Sequence, residues 1–387
     1  MKIKKVCSKC IYDESTPGIS FNKNGECNYC IMIRGIKEKF GTGDIKGEKI
    51  FQSIVDEIKK SGRKKKYDVI IGVSGGTDSS YLLHLAVKLG LRPLAVHYDN
   101  TWNSAISTQN IKKLVSKLNI DLKTYVIDNQ EQDEIILSFF KAGICGLDAA
   151  TDLALAEIMY RYANQYNIKY VFEGHSFTAE GISPISSSYT DGKFIKSVVN
   201  EYSNIKLQTY PLMTFFQFLR WVIFVRIKKI RPLWYLKYDK HSARSILEKE
   251  YNWEYYGGHH LENRLAAFDH SFLMPTKFNT DQRNNSLSAM VREGKLSQKE
   301  AISEYKKKPI LEEGLIEYTQ KRLKLSKEEF NQIMKGPTRH WSEFKTYKKR
   351  FEFLRPVFFM LAKANLVPTS FYLKYCFQPI NHKNFFQ

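Results

Sequence analysis

One stretch, Val73-Ser74-Gly75-Gly76-Thr77-Asp78-Ser79-Ser80, constrains this chain more than any other. It directly follows the β-branched run Tyr67-Asp68-Val69-Ile70-Ile71-Gly72 and precedes apolar residues at helical spacing, Tyr81, Leu82, Leu85 and Leu89. A strand, a glycine turn and a helix start, in that order, aim backbone N–H groups at a phosphate. The glycines let the backbone approach the anion closely, and Ser74, Thr77 and Ser79 add hydroxyl donors. No Lys-Ser/Thr follows, which excludes the GxxxxGK[ST] loop whose lysine reaches the β- and γ-phosphates. The bland alternative is an ordinary strand-to-helix turn rich in small residues.

At 387 residues with 43% hydrophobic side chains, the chain can build a sizeable core and is not of disordered composition. Its net charge of +20 points to an anionic partner: a nucleotide, a phosphosugar, nucleic acid or a membrane surface. Much of the excess lies in runs such as Lys64-Lys65-Lys66 and Lys348-Lys349-Arg350, which are more often solvated faces than binding patches. The first ten residues carry no apolar signal-peptide core, so a cytoplasmic location is expected. Pro211 to Ile227 is rich in Phe, Trp and Val but is broken by Gln217, Arg220 and Arg226, and is short for a membrane span. A buried helix is the default; a helix lying on the inner membrane face, edged by Arg226, Lys228, Lys229 and Arg231, is the alternative.

Four of the six cysteines form Cys7-x-x-Cys10 and Cys27-x-x-Cys30, with 16 residues between the pairs. Two such knuckles can wrap four thiolates around Zn²⁺, and the turn dipeptides Pro17-Gly18 and Asn24-Gly25 suit a small ribbon. Four thiolates leave no open position for substrate, so the zinc is expected to be structural. Disulfides are the alternative, disfavoured in a large unsecreted enzyme.

Along the chain, helices are expected over Glu48–Lys60, Ser104–Leu118, Glu131–Lys141 and Asp152–Tyr166. Strands are expected over Leu91–His97, Asp121–Ile127 and Ile168–Glu173, besides the one before the glycine turn. This alternation predicts an α/β fold with a doubly wound parallel sheet. Ligands then lie beyond the carboxyl ends of the strands, here Ser74 to Asp78, Tyr98 to Asn100, and Gly174-His175. Residues 181–210 read as a long substrate-covering loop, and residues 211–340 as helical. From Phe344 onward the chain looks like an appended amphipathic tail without an assigned role. The expected division is 1–45 as zinc ribbon, 46–210 as nucleotide domain and 211–387 as a helical substrate-binding and C-terminal region.

The Ser-Gly-Gly-x-Asp-Ser pattern resembles the pyrophosphate (PP) loop of the N-type ATP pyrophosphatases, a superfamily of HUP-type fold that splits ATP into AMP and pyrophosphate. A second segment sharpens the likeness: Trp253-Glu254-Tyr255-Tyr256-Gly257-Gly258-His259-His260-Leu261-Glu262-Asn263, followed by Leu273-Met274-Pro275-Thr276-Lys277-Phe278 and Asp281-Gln282-Arg283. With the knuckles and the loop, these resemble the N-acetyl sugar amidotransferases of bacterial surface-polysaccharide (lipopolysaccharide, O-antigen) and flagellar-glycan pathways, over residues 1 to about 310. That resemblance implies ATP-dependent conversion of a sugar acetamido group to an acetamidino group through an O-adenylyl intermediate attacked by ammonia.

It further implies that Ser74, Gly75, Gly76, Thr77, Asp78 and Ser79 hold the pyrophosphate. Asp99, Asn100, Gly174 and His175 would line the ATP crevice. Asp78 would help hold Mg²⁺, and Asp152 is either a second Mg²⁺ carboxylate or a helix N-cap. His259, His260 and Glu262 are candidates for proton management, the histidines having a second reading as ordinary half-buried residues. Tyr256, Gly257, Gly258, Lys277 and Arg283 are candidate substrate contacts, the two cations for phosphate or carboxylate.

The implied partners are a nucleotide-sugar or nonulosonate substrate and a separate glutaminase subunit that supplies ammonia, with a cyclase-like subunit as a further partner. A glutaminase nucleophile within the chain is not expected. Residue 2 is lysine, and Gly143-Ile144-Cys145-Gly146-Leu147 lacks the final glycine of a Gly-x-Cys-x-Gly turn. Two rivals stay open. A PP-loop tRNA-modifying thiolase or amidating ligase would use the basic charge for RNA, with Cys145 as sulfur carrier. A non-catalytic scaffold on a decayed nucleotide domain is the other, and the intact loop speaks against it.

Overall fold

The structure, a computed structural model, describes residues 4–183, 189–258 and 261–377. Five parallel strands form one sheet in the order β3-β2-β1-β4-β5. Two helices, α1 (Asn28–Phe40) and α2 (Ile45–Gly62), precede β1 (Val69–Gly72). Then follow α3 (Thr77–Lys88), β2 (Pro93–Asp99), α4 (Ala105–Leu118), β3 (Leu122–Val126), α5 (Asn129–Lys141), α6 (Ala149–Gln165) and β4 (Tyr170–Phe172). The order reverses between β1 and β4, so the switch-point crevice opens where the Ser-Gly-Gly turn leaves β1.

Strand alternation divides the sheet between two cores. Ile70, Leu94, Val96 and Val171 face α5 and α6, which contribute Ile135, Phe139 and Ile158. Val69, Ile71, Ala95 and Phe172 face α2, α3 and α4, which contribute Phe51, Val55, Leu82 and Ile111. Successive residues of β1 therefore enter opposite cores, the pattern of a sheet covered on both faces.

The helical reading of 211–340 is corrected in one place. Lys228–Ile230 is β5, paired in parallel with β4 (Tyr170 opposite Lys228, Phe172 opposite Ile230). This edge strand is too short and too charged to show a strand pattern, as is common where lysines blunt a sheet edge. Its Lys229 Nζ lies 2.6 Å from a Glu173 oxygen, and Arg231 Nε lies 3.0 Å from the other. Helix α9 (Lys240–Tyr251) then packs Ala243, Leu247 and Tyr251 into the core shared with α2 and α3. The sheet layer thus crosses the expected division at 210/211.

Residues 181–210 are likewise not all loop. Asp191 caps α7 (Gly192–Tyr202) by accepting from Phe194 N, and Phe194, Ile195, Val198 and Val199 fill the core beside α5. In the aromatic stretch, α8 (Phe215–Leu219) passes into a π-helical turn, Arg220–Val225. Phe215, Trp221 and Val222 are buried, whereas Phe216 and Phe224 are 73% and 79% exposed. No helix among the described residues is long and apolar enough to cross a membrane.

The remainder is helical. Helix α10 (Arg264–Phe268), a second π-helical turn (Asp269–Leu273) and α11 (Met274–Lys277) are continuous. After them come α12 (Arg283–Arg292), α13 (Gln298–Lys306), α14 (Leu315–Arg322) and α15 (Lys327–Lys335). The tail forms α16 (Lys348–Phe353), α17 (Arg355–Lys363) and α18 (Thr369–Cys376). Its Phe351, Phe358 and Leu361 pack on Phe215 and Val222, so the tail covers one side of the aromatic stretch.

Candidate active site

The phosphate loop is built as its composition predicts. Gly75 has φ +80°, and a Cβ there would sit 2.3 Å from Ser107 O, so only glycine fits. Gly76 starts α3 as its N-cap, without a side-chain cap. The loop donors meet hydroxyl oxygens at long range: Gly76 N to Ser74 Oγ at 3.2 Å, Ser74 N to Ser79 Oγ at 3.3 Å, and Thr77 N to Tyr256 OH at 3.2 Å. These are long, weak bonds, which the charge-assisted bonds of a phosphate oxygen would outcompete.

Residues 262–264 close over this loop. Asn103 and Asn263 form an antiparallel bridge, Ser104 N donates to Glu262 O at 3.0 Å, and Arg264 N donates to Trp102 O at 2.8 Å. This stitching sets Glu262 above the glycines: a Cβ on Gly76 would lie 2.7 Å from Glu262 Oε1. Asn263 Nδ2 also donates to Asn100 Oδ1 at 2.9 Å, and buried Asn100 donates to Thr151 Oγ1 at 3.2 Å. Asp99 Oδ1 accepts from Thr101 N and from Asn103 Nδ2. Thr101 has φ +63°, unusual for a β-branched residue, and Arg322 holds both its carbonyl and its hydroxyl.

Beyond the loop lies a cavity of about 1300 Å³. Pockets that take one drug-sized ligand measure about 300–1,000 Å³, so this cavity has room beyond a single such ligand. Its walls include Ser74 and Ser79 of the loop, Asn100, Asp152 of α6, Glu262, and Tyr12 and Thr16 from the N-terminal ribbon. Cys145 is also on the wall; burial, then the nearby Asp269 and Asp148 charges, push its thiol up to about 12. It is protonated near neutrality, which makes it a poor nucleophile.

Asp78 keeps other company. Its carboxylate accepts from the Tyr238 hydroxyl, and its Oδ2 lies 2.7 Å from Lys240 Nζ. Lys240 also pairs with Glu180 at 3.5 Å. Burial alone would raise the Asp78 carboxyl, but the Lys240 ammonium outweighs it and the net shift is downward. Two carboxylates beside the phosphate loop are a donor set a hard cation accepts, so Asp78 and Glu180 fit Mg²⁺ delivered with ATP. Asp152 lines the cavity from α6, near His270. Lys240, Tyr238 and Glu180 escaped the sequence reading. One signal was available, a lysine at the first position of a helix capped by Asp239, where a cation opposes the dipole unless an anion meets it.

Other expected contacts are placed elsewhere. Lys277 Nζ donates to the carbonyls of Ile333, Met334 and Gly336, so it caps the end of α15 and does not reach the cavity. Arg283 is committed to Asp281 (2.6 Å) and to the Lys307 carbonyl. Both cations are corrected from substrate ligands to structural ties, because each completes the hydrogen bonding of a helix end or turn. Gly174 packs against Asp78, and His175 bonds Gly181 O and Trp234 Nε1 outside the cavity wall; burial, then Arg231, lowers His175 to about 4. Gly257 and Gly258 lie in the turn after Tyr256, beyond the wall, while His259 and His260 lie outside the described residues.

The four knuckle thiols converge. Cys7 and Cys30 sulfurs are 3.8 Å apart and Cys10 and Cys27 sulfurs 3.9 Å, with all four within 4.8 Å of one another. A tetrahedron with Zn–S bonds of about 2.3 Å has edges of about 3.8 Å, so the set fits Zn²⁺ and is too open for disulfides. The ribbon docks on α12 and α13: Gln298 Nε2 donates to Cys7 O and Cys10 O, and Tyr12 OH donates to Asn285 Oδ1 at 2.7 Å.

Comparison with known proteins agrees with this layout. Residues 47–189 match the NAD synthase family, and residues 262–357 match the C-terminal domain of LPS biosynthesis protein WbpG-like proteins. No curated protein matches the chain. Among solved structures, NMN synthetase from Francisella tularensis is similar at 19% identity over 53% of this chain and 86% of that one, TM-score 0.27. NH3-dependent NAD synthetase from Campylobacter jejuni is similar at 15% identity over 76% and 98%, TM-score 0.30. The U34-tRNA thiolase NcsA from Methanococcus maripaludis, solved with its [4Fe-4S] cluster, is similar at 14% over 80% and 91%, TM-score 0.32.

The segment that matches the NAD synthase family holds the Ser-Gly-Gly loop and strands β1 to β4. A segment that matches the WbpG-like C-terminal domain follows it in the same chain, beginning at Glu262 on the cavity wall.

Proposed function

We propose that this chain converts the acetamido group of an activated sugar into an acetamidino group, for surface-glycan synthesis. The observation that carries the reading is that the phosphate loop, without a γ-phosphate lysine, meets Glu262 and Asn263 on the wall of one large cavity.

The amide oxygen attacks the α-phosphorus of ATP; a C–O–P bond forms and pyrophosphate leaves. Loop N–H groups from Gly76 and Thr77, the N-terminus of α3 and Lys240 oppose the charge on the departing pyrophosphate. Asp78 and Glu180 would hold Mg²⁺ brought with ATP, which would supply further charge neutralisation. Ammonia then adds to the imidate carbon, the C–O bond breaks, and AMP leaves with the former amide oxygen. Glu262, beside the glycines, takes the proton that the attacking nitrogen sheds.

Ammonia comes from a separate glutaminase subunit, a reading supported by the lack of a Gly-x-Cys-x-Gly turn at Cys145. The four cysteines hold structural zinc. Exposed Phe216 and Phe224, beside Arg220 and Arg226, favour peripheral contact with the inner membrane face. Mass spectrometry of acetamido sugars incubated with ATP, Mg²⁺ and ammonium tests the function: a product lighter by about 1 Da, as O is replaced by NH, is expected. ATP turnover without any such product overturns it.

A further inference from the structure

A second cluster of metal-ligating side chains lies across the cavity from the phosphate loop. Asp148 precedes α6, and Asp269 and His270 open the π-helical turn between α10 and α11. One ligand atom from each lies within 4.8 Å of the others. His270 Nε2 and Asp148 Oδ2 are 3.2 Å apart, close to the edge of about 3 Å between neighbouring ligands on an ion with bonds of about 2.1 Å.

Asp269 is the independent indicator. It is fully buried, and Leu147 N donates to its Oδ2 at 2.8 Å. Its Oδ1 has no hydrogen-bond partner among the described residues. Leaving a carboxylate oxygen buried and unmet costs more than about 1–3 kcal/mol, so such an atom calls for a cation. The backbone is also unusual here: a π-helical turn places adjacent Asp269 and His270 at the cluster, and such turns concentrate at functional sites. Asp148 and His270 line the cavity, so an ion between them would keep coordination positions open toward a bound substrate.

We propose that Asp148, Asp269 and His270 form a binding site for a first-row divalent cation, separate from the four-cysteine cluster and from the Mg²⁺ that accompanies ATP. Two carboxylates and one imidazole suit Mn²⁺, Fe²⁺, Co²⁺ or Zn²⁺ better than Mg²⁺ or Ca²⁺, which take oxygen ligands. The site does not depend on the sugar reading.

Mn²⁺ titration of the full, nucleotide-free chain, with free Mn²⁺ followed by electron paramagnetic resonance, tests it without substrate or turnover. One saturable Mn²⁺ per chain is expected, weakened at least about tenfold in Asp269→Asn and in His270→Gln and unchanged in Asp78→Asn. Circular dichroism and retained metal in the cysteine ribbon establish that each variant is folded; should Asp269→Asn fail that criterion, His270→Gln, on the cavity wall, decides alone. Absence of saturable binding, equal binding in wild type and variants, or loss in Asp78→Asn instead would overturn the proposal.

Discussion

Lys240 Nζ lies 2.7 Å from Asp78 Oδ2, joining the first turn of the phosphate-loop helix to the first residue of α9, 162 positions later. Both side chains are mostly buried, so removing one leaves the other's charge uncompensated. Lys240→Met should cost on the order of 2–3 kcal/mol of stability, and Asp78→Asn with Lys240→Met less than the sum of the two single changes. Urea unfolding of the four proteins measures this. In turnover, each single change should lower kcat/KM for ATP at least about a hundredfold, because Asp78→Asn removes the carboxylate that would hold Mg²⁺ and Lys240→Met removes the cation that opposes the pyrophosphate charge. Additive stability losses would mean that the pair is not coupled.

Edge strand β5 makes an acid-sensitive joint. Burial would raise the Glu173 carboxyl, but Lys229 and Arg231 pull it down to about 2, from 4.5. Because the folded value is the lower one, the stabilisation is complete above about 4.5 and is lost as pH falls toward about 2. The wild type should lose on the order of 2–3 kcal/mol through this group across that window. Glu173→Gln should be less stable at neutral pH and flatter in acid, as read from unfolding midpoints at successive pH values.

The ribbon is a wall of the cavity as well as a metal site. Purified protein should carry one zinc per chain, and Cys27→Ser should lose it and unfold the ribbon, since thiolate–zinc binding supplies the folding energy there. Gln298 and Tyr12 tie the ribbon to α12 and α13, so amide exchange should speed up across residues 283–306 too. Less than half an equivalent of metal, zinc and iron together, contradicts this.

Much of the sheet and the phosphate loop was legible because β1 to β4 carry β-branched and aromatic residues and the loop's glycines are demanded by contacts such as Gly75 with Ser107 O. The five-strand sheet with its four-cysteine ribbon and helical C-terminal region follows the expected class. What stayed hidden depends on partners distant in the chain. β5 is Lys-Lys-Ile, which reads as a surface segment until Glu173 is set opposite it. Lys277 looks like a phosphate ligand until the end of α15 presents three carbonyls to it. Asp269-His270-Ser271 interrupt an otherwise apolar run from Leu265 to Leu273, a signal that would have marked the second cluster.

The aromatic stretch yields a surface prediction. Phe216 and Phe224 stay exposed although the tail covers Phe215 and Val222, and Phe353 of the tail is 85% exposed. Cosedimentation with anionic liposomes should occur at low salt, fade as salt rises, and be lost in Phe216→Glu with Phe224→Glu. Protein that remains in the supernatant at low salt would show that these residues serve another contact.

The central claim is that the phosphate loop directs ATP cleavage between the α- and β-phosphates to activate an amide oxygen. Chromatography of spent nucleotide from the purified chain, supplied with ATP, Mg²⁺, ammonium and an acetamido nucleotide sugar, measures this most directly. Equal amounts of AMP and pyrophosphate, matched by sugar product lighter by about 1 Da, are predicted, and none with glutamine in place of ammonium. ADP and phosphate as the main products would contradict the account.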